Sequence, residues 1–325
     1  MEDRMLGLMQ DRQLMIADIL VHAARHHGTT DIVSRTDVGT IHRTTYAQTE
    51  RRARRLARAL TALGIGPSDR VGTLAWNGFR HLELYYGVSG TQAVCHTINP
   101  RLSPDELVFI LNHANDRVLF ADPSLASLVG SIVPRSTTPL RAVVFMCEPD
   151  EMPDVALPGG MDVLCYESML RDEAEDFAWP VFGEGAASSL CYTSGTTGQP
   201  KGVLYSHRST VLHALATIAP DAFGFRALDR VMPVVPMFHV NAWGVPYAAP
   251  MAGAALVLPG RHLDGAALVA LMNAERVTIA LGIPTIWTGV LHHLRENGER
   301  LETVEKLSVG GSACPLHLAQ AFERE

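Results

Sequence analysis

An α/β fold with two βαβ-rich halves, mostly parallel sheets and flanking helices is what this sequence predicts. The first observation is alternation: short apolar runs of strand character are separated by amphipathic stretches of helical length. The second is composition: 47% hydrophobic and 19% charged residues over 325 positions exclude overall disorder and suffice for about two domains. The third is the absence of any repeat of solenoid period.

In chain order, Thr45-x-x-Gln48 reads as a capping box that opens a helix running to Leu63 and stopped by Gly64. Leu56, Leu60 and Leu63 share one face of it. Arg51, Arg52, Arg55 and Arg58 fall largely elsewhere and read as a solvated face available for salt bridges between subunits. An RNA site is disfavoured, because 27 Lys+Arg against 34 Asp+Glu leave a net charge of −7 and no basic tail exists.

Strands are expected at 71–75, 93–97, 118–120 and 141–146, with a helix over 79–88. Ser103-Pro104-Asp105-Glu106 starts another helix, with Ser at the N-cap, Pro at the first turn and Glu three residues on. Residues 148–185 turn acidic and rich in Pro and Gly, which reads as surface connection. Asp172, Glu173, Glu175 and Asp176 form a solvated charge run within it. Helices then recur at 207–218, 262–274 and 284–294, and strands at 231–235, 255–258, 278–281 and 307–309. The division expected is an N-terminal segment 1–45 that packs on the second subdomain and offers a dimer contact, a first subdomain 46–202 and a second 203–325.

Cys95, Cys147, Cys165, Cys191 and Cys314 are scattered without a C-x-x-C pair, so neither a disulfide framework nor a zinc knuckle is indicated. His22 and His26 stand four apart, but without a third ligand they read as a solvent face. The N-terminus lacks a signal-peptide core, and the apolar stretch 240–258 is broken by Pro246 and Pro250. A soluble, intracellular protein is expected.

The most informative segment is Tyr192-Thr193-Ser194-Gly195-Thr196-Thr197-Gly198-Gln199-Pro200-Lys201-Gly202. Its glycines permit a tight backbone whose amides form an anion nest. Thr193, Ser194, Thr196 and Thr197 add hydroxyls suited to phosphate or to Mg²⁺, and Lys201 adds a compact positive charge. The order is not that of the G-x-x-x-x-G-K-[ST] phosphate loop. A plain Gly/Ser/Thr turn is the ordinary alternative. Further on, Pro233-Val-Val-Pro236-Met-Phe-His239 places His239 at the tip of a bend after a strand. A lone His in such company is usually packed core. Gly310 and Gly311, after a strand, allow close backbone approach by a flat ligand.

The segment at 192–203 resembles the signature of the adenylate-forming superfamily, which holds acyl-CoA synthetases, luciferases and peptide-synthetase adenylation domains. The resemblance spans essentially the whole chain and implies ATP, Mg²⁺ and CoA. An acid and ATP give an acyl-adenylate and pyrophosphate, followed by capture on the CoA thiol. By position, Thr193, Ser194, Gly195, Thr196, Thr197, Gly198 and Lys201 inherit the triphosphate, with Thr193 also toward Mg²⁺. His239 inherits a place beside the substrate carboxylate, and Val240 lies in the segment that lines nucleotide and acyl chain.

His239-Val240-Asn241-Ala242-Trp243 is similar to bacterial long-chain fatty acyl-CoA synthetases, where that tryptophan gates the fatty-acid tunnel. Its ordinary alternative is a half-buried core aromatic. Gly310, Gly311 and Ser312 inherit contact with adenine and the border of the acyl pocket. Asn99-Pro100 through Glu106-Leu107 resembles a scaffold segment of the same enzymes.

The implied function is activation of a medium- to long-chain fatty acid by a cytoplasmic homodimer, with at most loose membrane association and no nucleic-acid partner. The family's Tyr-Gly-x-Thr-Glu and Thr-Gly-Asp motifs and the C-terminal domain with its catalytic lysine are not found in these residues. The expectation is therefore an N-terminal portion that forms no appreciable thioester alone. The alternatives are adenylation of an aryl acid, or a non-catalytic nucleotide- or lipid-binding fragment that dimerises.

Overall fold

The computed structural model describes residues 7, 9–193 and 199–324. The first sheet grows from β3 (Arg70–Leu74), α3 (Phe79–Gly90), β4 (Val94–Thr97), α4 (Pro104–Ala114), β5 (Asp116–Ala121), α5 (Ala126–Ile132), β6 (Ala142–Phe145), β7 (Asp162–Cys165), α6 (Tyr166–Arg171), β8 (Ala187–Thr193) and β9 (Lys201–Ser206). Its order is β7-β6-β5-β3-β4-β8-β9, parallel except for the final β8–β9 hairpin.

The second sheet comes from α7 (His207–Thr217), β10 (Arg230–Pro233), α8 (Val245–Ala252), β11 (Ala255–Leu258), α9 (Gly265–Ala274), β12 (Ile279–Gly282), α10 (Pro284–Asn297), β13 (Lys306–Val309) and α11 (Leu316–Phe322). It is completed by the chain start: α1 (Ile16–His26), β1 (Asp31–Arg35), β2 (Ile41–Thr45) and then α2 (Tyr46–Ala62). β1 pairs in parallel with β11, giving β13-β12-β10-β11-β1-β2. By sheet membership, 31–45 belongs with the second half, and the expected boundary at 202/203 falls inside β9 of the first sheet.

Alternation of side chains along each strand sorts the core into layers. Val118 and Phe120 of β5 point to the middle layer, where they meet Leu56, Leu60, Leu82 and Tyr86 of α2 and α3. Ile32, Leu256 and Ile279 reach the same layer from the second sheet, with Ile16, Leu20 and Tyr247 between them. Leu119 and Val143 face outward under α4 and α5. Val33, Met232 and Val257 face outward under α9 and α10. The result is five layers, helix–sheet–helix–sheet–helix, sharing one middle core.

Local chemistry explains the helix ends. Ser103 Oγ accepts the Glu106 N–H at 3.3 Å while the Glu106 carboxylate accepts the Ser103 N–H at 2.9 Å, the reciprocal cap expected. At α2 only half of the expected box forms. Thr45 accepts the Gln48 N–H at 3.4 Å, but the Gln48 carboxamide accepts from the Thr44 hydroxyl instead.

Two readings of the sequence are corrected. The connection 148–185 contains β7 and α6, whose short length and charge hid them. The α2 arginines are not simply solvated: Arg55 pairs with Glu175 at 2.8 Å, and Arg58 with Glu173 and Asp176, so the acidic run covers the basic helix face. Arg52 turns inward, to the fully buried Glu83 at 2.6 Å. Among the described residues no helix is long and apolar enough to cross a membrane.

His81, His207 and Asp122 contribute to the pH response. Burial pushes His81 and His207 down to about 4 from 6.5. The Ile16 N–H donates to His207 Nδ1 at 3.2 Å, which requires that nitrogen to be unprotonated. Between pH 6.5 and 4 the unfolded chain takes up protons that the folded chain refuses, so stability falls as pH drops through this window. Asp122 behaves oppositely, because burial, aided by neighbouring Asp37, pushes it up to about 7 from 3.8. There the folded chain keeps a proton that the unfolded chain has released, so stability falls as pH rises. Asp122→Asn should therefore raise the Tm at pH 8 and leave it nearly unchanged at pH 4. Equal gains at both values in thermal melts would exclude this assignment.

Candidate functional site

Both sheets present the C-terminal ends of their parallel strands to one crevice, the usual ligand position in open α/β sheets. At the end of β8, Thr193 lies directly opposite Lys201 of β9, and both are exposed. These two residues flank the glycine- and hydroxyl-rich segment in sequence. Ser194, Gly195, Thr196, Thr197 and Gly198 lie outside the described residues. The loop leads into an antiparallel strand that the sequence did not suggest, with α7 only afterwards. Gly202 is closely packed, since a Cβ there would lie 3.0 Å from Leu190 and 3.3 Å from the Tyr192 ring, and a side chain would have to displace them by a few tenths of an ångström. Tyr192 is anchored by a 2.6 Å hydrogen bond to His113 Nδ1, and burial pushes its phenol up to about 12.

From the second sheet, β10 runs into the bend at Pro236, closed by the His239 N–H donating to the Pro236 carbonyl at 3.1 Å. His239 emerges exposed, with neighbouring protein atoms holding its pKa below the ordinary value. The next turn is left-handed throughout: Val240, Asn241, Ala242 and Trp243 have φ of 47°, 48°, 48° and 54°, and Gly244 has 75°. For L-residues this costs about 1–2 kcal/mol each, so the turn persists only because its surroundings over-determine it. Its outer residue Val240 is 39% exposed, and Asn241 and Ala242 are buried. At Gly244 a Cβ would meet His213 Nδ1 at 2.6 Å, which adds a packing reason for glycine to the conformational one.

The left-handed turn aims Trp243 at the end of β13. A Cβ on Gly310 would lie 2.7 Å from its indole ring, so this glycine exists to receive Trp243. Gly311 takes φ 79° and, like Ser312, is exposed at the crevice. Trp243, Phe223, His213, Thr217, Ser308 and Val309 line an open groove of about 420 Å³ beside it. The segment 239–243 after β10 and the segment 310–312 after β13, strands with β12 between them, thereby meet through Trp243 and Gly310.

Asn241, which the sequence did not single out, ties the two groups together. Its Nδ2 donates to Ser189 Oγ at 2.9 Å, and its Oδ1 accepts from Cys191 Sγ at 3.2 Å. Both partners stand on β8, a few residues before Thr193. A polar Asn inside an otherwise apolar run, 240–245, is the signal that could have found it. His22, Arg25 and His26 sit exposed on α1, whose apolar face is buried within the chain itself. No group of three or more metal-ligating side chains occurs among the described residues.

The family described as AMP-binding enzyme matches residues 20–325. The chain is 51% identical over 321 residues to a 3-methylmercaptopropionyl-CoA ligase of Ruegeria lacuscaerulensis, covering 99% of this chain and 59% of that protein. It is 49% identical to a long-chain-fatty-acid–CoA ligase of Thermus thermophilus, covering 97% and 56% respectively. Among solved structures, the N-terminal domain of FACL13 from Mycobacterium tuberculosis superposes with a TM-score of 0.77 at 27% identity, covering 95% of this chain and 73% of that one. The chain thus spans somewhat over half the length of the curated relatives it matches.

Proposed function

The chain belongs to the AMP-binding enzyme family, and on that premise we propose that it binds ATP and activates a medium- to long-chain fatty acid for transfer to CoA. The observation that supports this reading is the tie through Asn241, which joins β8, the strand ending at Thr193, to the His239–Trp243 turn of the other sheet.

In the proposed reaction a carboxylate oxygen attacks the α-phosphorus of ATP, the bond to the leaving group breaks, and pyrophosphate departs. The CoA thiol then displaces AMP from the acyl carbon. This chain's part is positioning and charge neutralisation. Lys201 offsets phosphate charge, and Thr193 with Ser194, Gly195, Thr196, Thr197 and Gly198 cradles the triphosphate. Thr193 offers one neutral oxygen, so Mg²⁺ there would be held mainly by phosphate oxygens and water. His239 orients the carboxylate, Val240 and Gly311 border the nucleotide, and Gly310 and Ser312 edge the acyl groove. Trp243 stands at the mouth of that groove. A cytoplasmic homodimer belongs to the same reading, and sedimentation velocity tests its dimeric part.

Calorimetric titration with ATP and Mg²⁺ tests nucleotide binding. Acyl-sulfamoyl adenosines of graded chain length test the acid. Tightening from a methylthiopropionyl to a dodecanoyl group supports the fatty-acid reading, at about 0.8 kcal/mol per buried methylene. A preference for the methylthiopropionyl group would replace it with a short thioether acid, and one for benzoyl with an aryl acid. Lys201→Ala should weaken ATP binding about tenfold to 10²-fold, the worth of one charged hydrogen bond. Unchanged affinity would remove Lys201 from the phosphate site.

A further inference from the structure

Asn77 follows β3 in the first sheet and is 3% exposed. Its carboxamide is fully engaged across the crevice. Nδ2 donates to the carbonyls of Pro233 at 2.8 Å and Val235 at 2.9 Å, and Oδ1 accepts the Met237 N–H at 2.7 Å. The Met237 carbonyl in turn accepts from the Tyr85 hydroxyl of α3. Both backbone polar groups of Met237 are therefore held by side chains of the other half of the molecule. Two residues later the chain presents His239 and enters the left-handed turn. A strained turn keeps its shape only while its entry and exit are fixed. Asn77 and Tyr85 fix the entry, and Asn241, bonded to Ser189 and Cys191, fixes its middle.

We propose that Asn77 is a positioning residue for acid activation: acting through Met237, it sets where His239 meets the substrate carboxylate. The inference rests on the role given to His239 above. It predicts a division of labour, because the phosphate hairpin belongs to β8 and β9 and makes no bond to Asn77 among those described. Losing Asn77 should harm recognition of the acyl part and spare the nucleotide.

The test uses the full 325-residue chain and three variants. Asn77→Ala removes the clamp. Tyr85→Phe removes only one hydroxyl and preserves the fold. Asn112→Ala removes a carboxamide oxygen that accepts from Ser136, Thr137 and Thr138 on the far side of the first sheet, a comparable clamp without a site. Asn77→Ala should weaken dodecanoyl-sulfamoyl adenosine by about tenfold to 10²-fold and leave ATP affinity near wild type. Amide exchange at Met237 and His239 should quicken roughly tenfold or more while α4 stays protected. Tyr85→Phe should show the same pattern at smaller amplitude, and Asn112→Ala should lower the Tm alone.

The proposal is overturned if Met237 exchange is unchanged in Asn77→Ala and Tyr85→Phe. It is equally overturned if analogue and ATP affinities fall together, in step with Tm, as a structural role requires. Should the wild-type chain bind neither ATP nor the analogue, the functional reading fails instead. The exchange pattern and the NMR titration of the His239 ring then decide the positioning claim: a ring pKa displaced in Asn77→Ala upholds it, and an unmoved one ends it.

Discussion

Arg52→Ala is expected to lower stability by about 3–5 kcal/mol, measured by urea unfolding at pH 7. The reason is Glu83, 0% exposed on α3. It accepts from Arg52 Nε at 2.6 Å and Nη2 at 3.2 Å, and from the Tyr166 hydroxyl at 2.6 Å. The same guanidinium reaches Glu167 at 2.8 Å, and Glu167 also accepts from Arg80 Nε at 2.7 Å. Burial already pushes the Glu83 carboxyl up, against the pull of Arg52. Without Arg52 the carboxylate must stay charged in an apolar layer or take up a proton. The deficit should therefore shrink as pH falls from 7 to 5, where protonation becomes easier. Replacing Arg52 and Glu83 together by Met and Leu should recover much of the loss, since a buried pair is worth little over apolar packing. A single-variant loss below about 1 kcal/mol would mean water reaches Glu83.

Trp287→Ala should cost about 3–5 kcal/mol, by loss of transfer energy and opening of a cavity. Trp287 is 0% exposed on α10, donates Nε1–H to the Ser308 carbonyl at 3.3 Å, and sits edge-on to Phe322 of α11. Gly282 carries no side chain because a Cβ would lie 2.9 Å from this indole. The same ring therefore touches β12, β13 and α11, and Gly310, Gly311 and Ser312 lie in the connection between the last two. Beyond the global loss, exchange of the amides at 308–312 should rise more than that of β3. A uniform rise would show that Trp287 stabilises the fold without shaping this end of the sheet.

The legible parts of the molecule are those where one local signal agrees with burial. The 255–258 strand is observed at those residues because its apolar run is buried on both faces. The Ser103 cap is legible because both partners lie within four residues. β7 and α6 were not, being short and half-exposed, with pairing partners distant in sequence. At the candidate site, the loop at 192–202 stands out by residue type, whereas His239 by itself reads as packed core and is singled out by the family resemblance. Asn77, Tyr85 and Asn241 did not: an Asn bound to three backbone groups some 160 residues away has no local pattern. The left-handed turn was hidden for the same reason, since Val, Ala and Trp argue individually against it and one Asn does not outweigh them.

The pairing of β1 with β11 bears on the order in which the chain takes shape during synthesis. Ile32 lies between Thr44 of β2 and Leu256 of β11, so the β1–β2 hairpin can form at once but must wait for more than two hundred further residues before the rest of its sheet exists. The core strands β3 to β6 of the other sheet need no such delay, each partner arriving after at most two helices and one intervening strand. A ribosome-bound chain should therefore show a formed first sheet above a still-tethered N-terminal arm, the slow non-local contact closing last. Supplied as a separate peptide, residues 9–45 should dock onto a chain that begins at 46, completing from outside a sheet that vectorial synthesis leaves open.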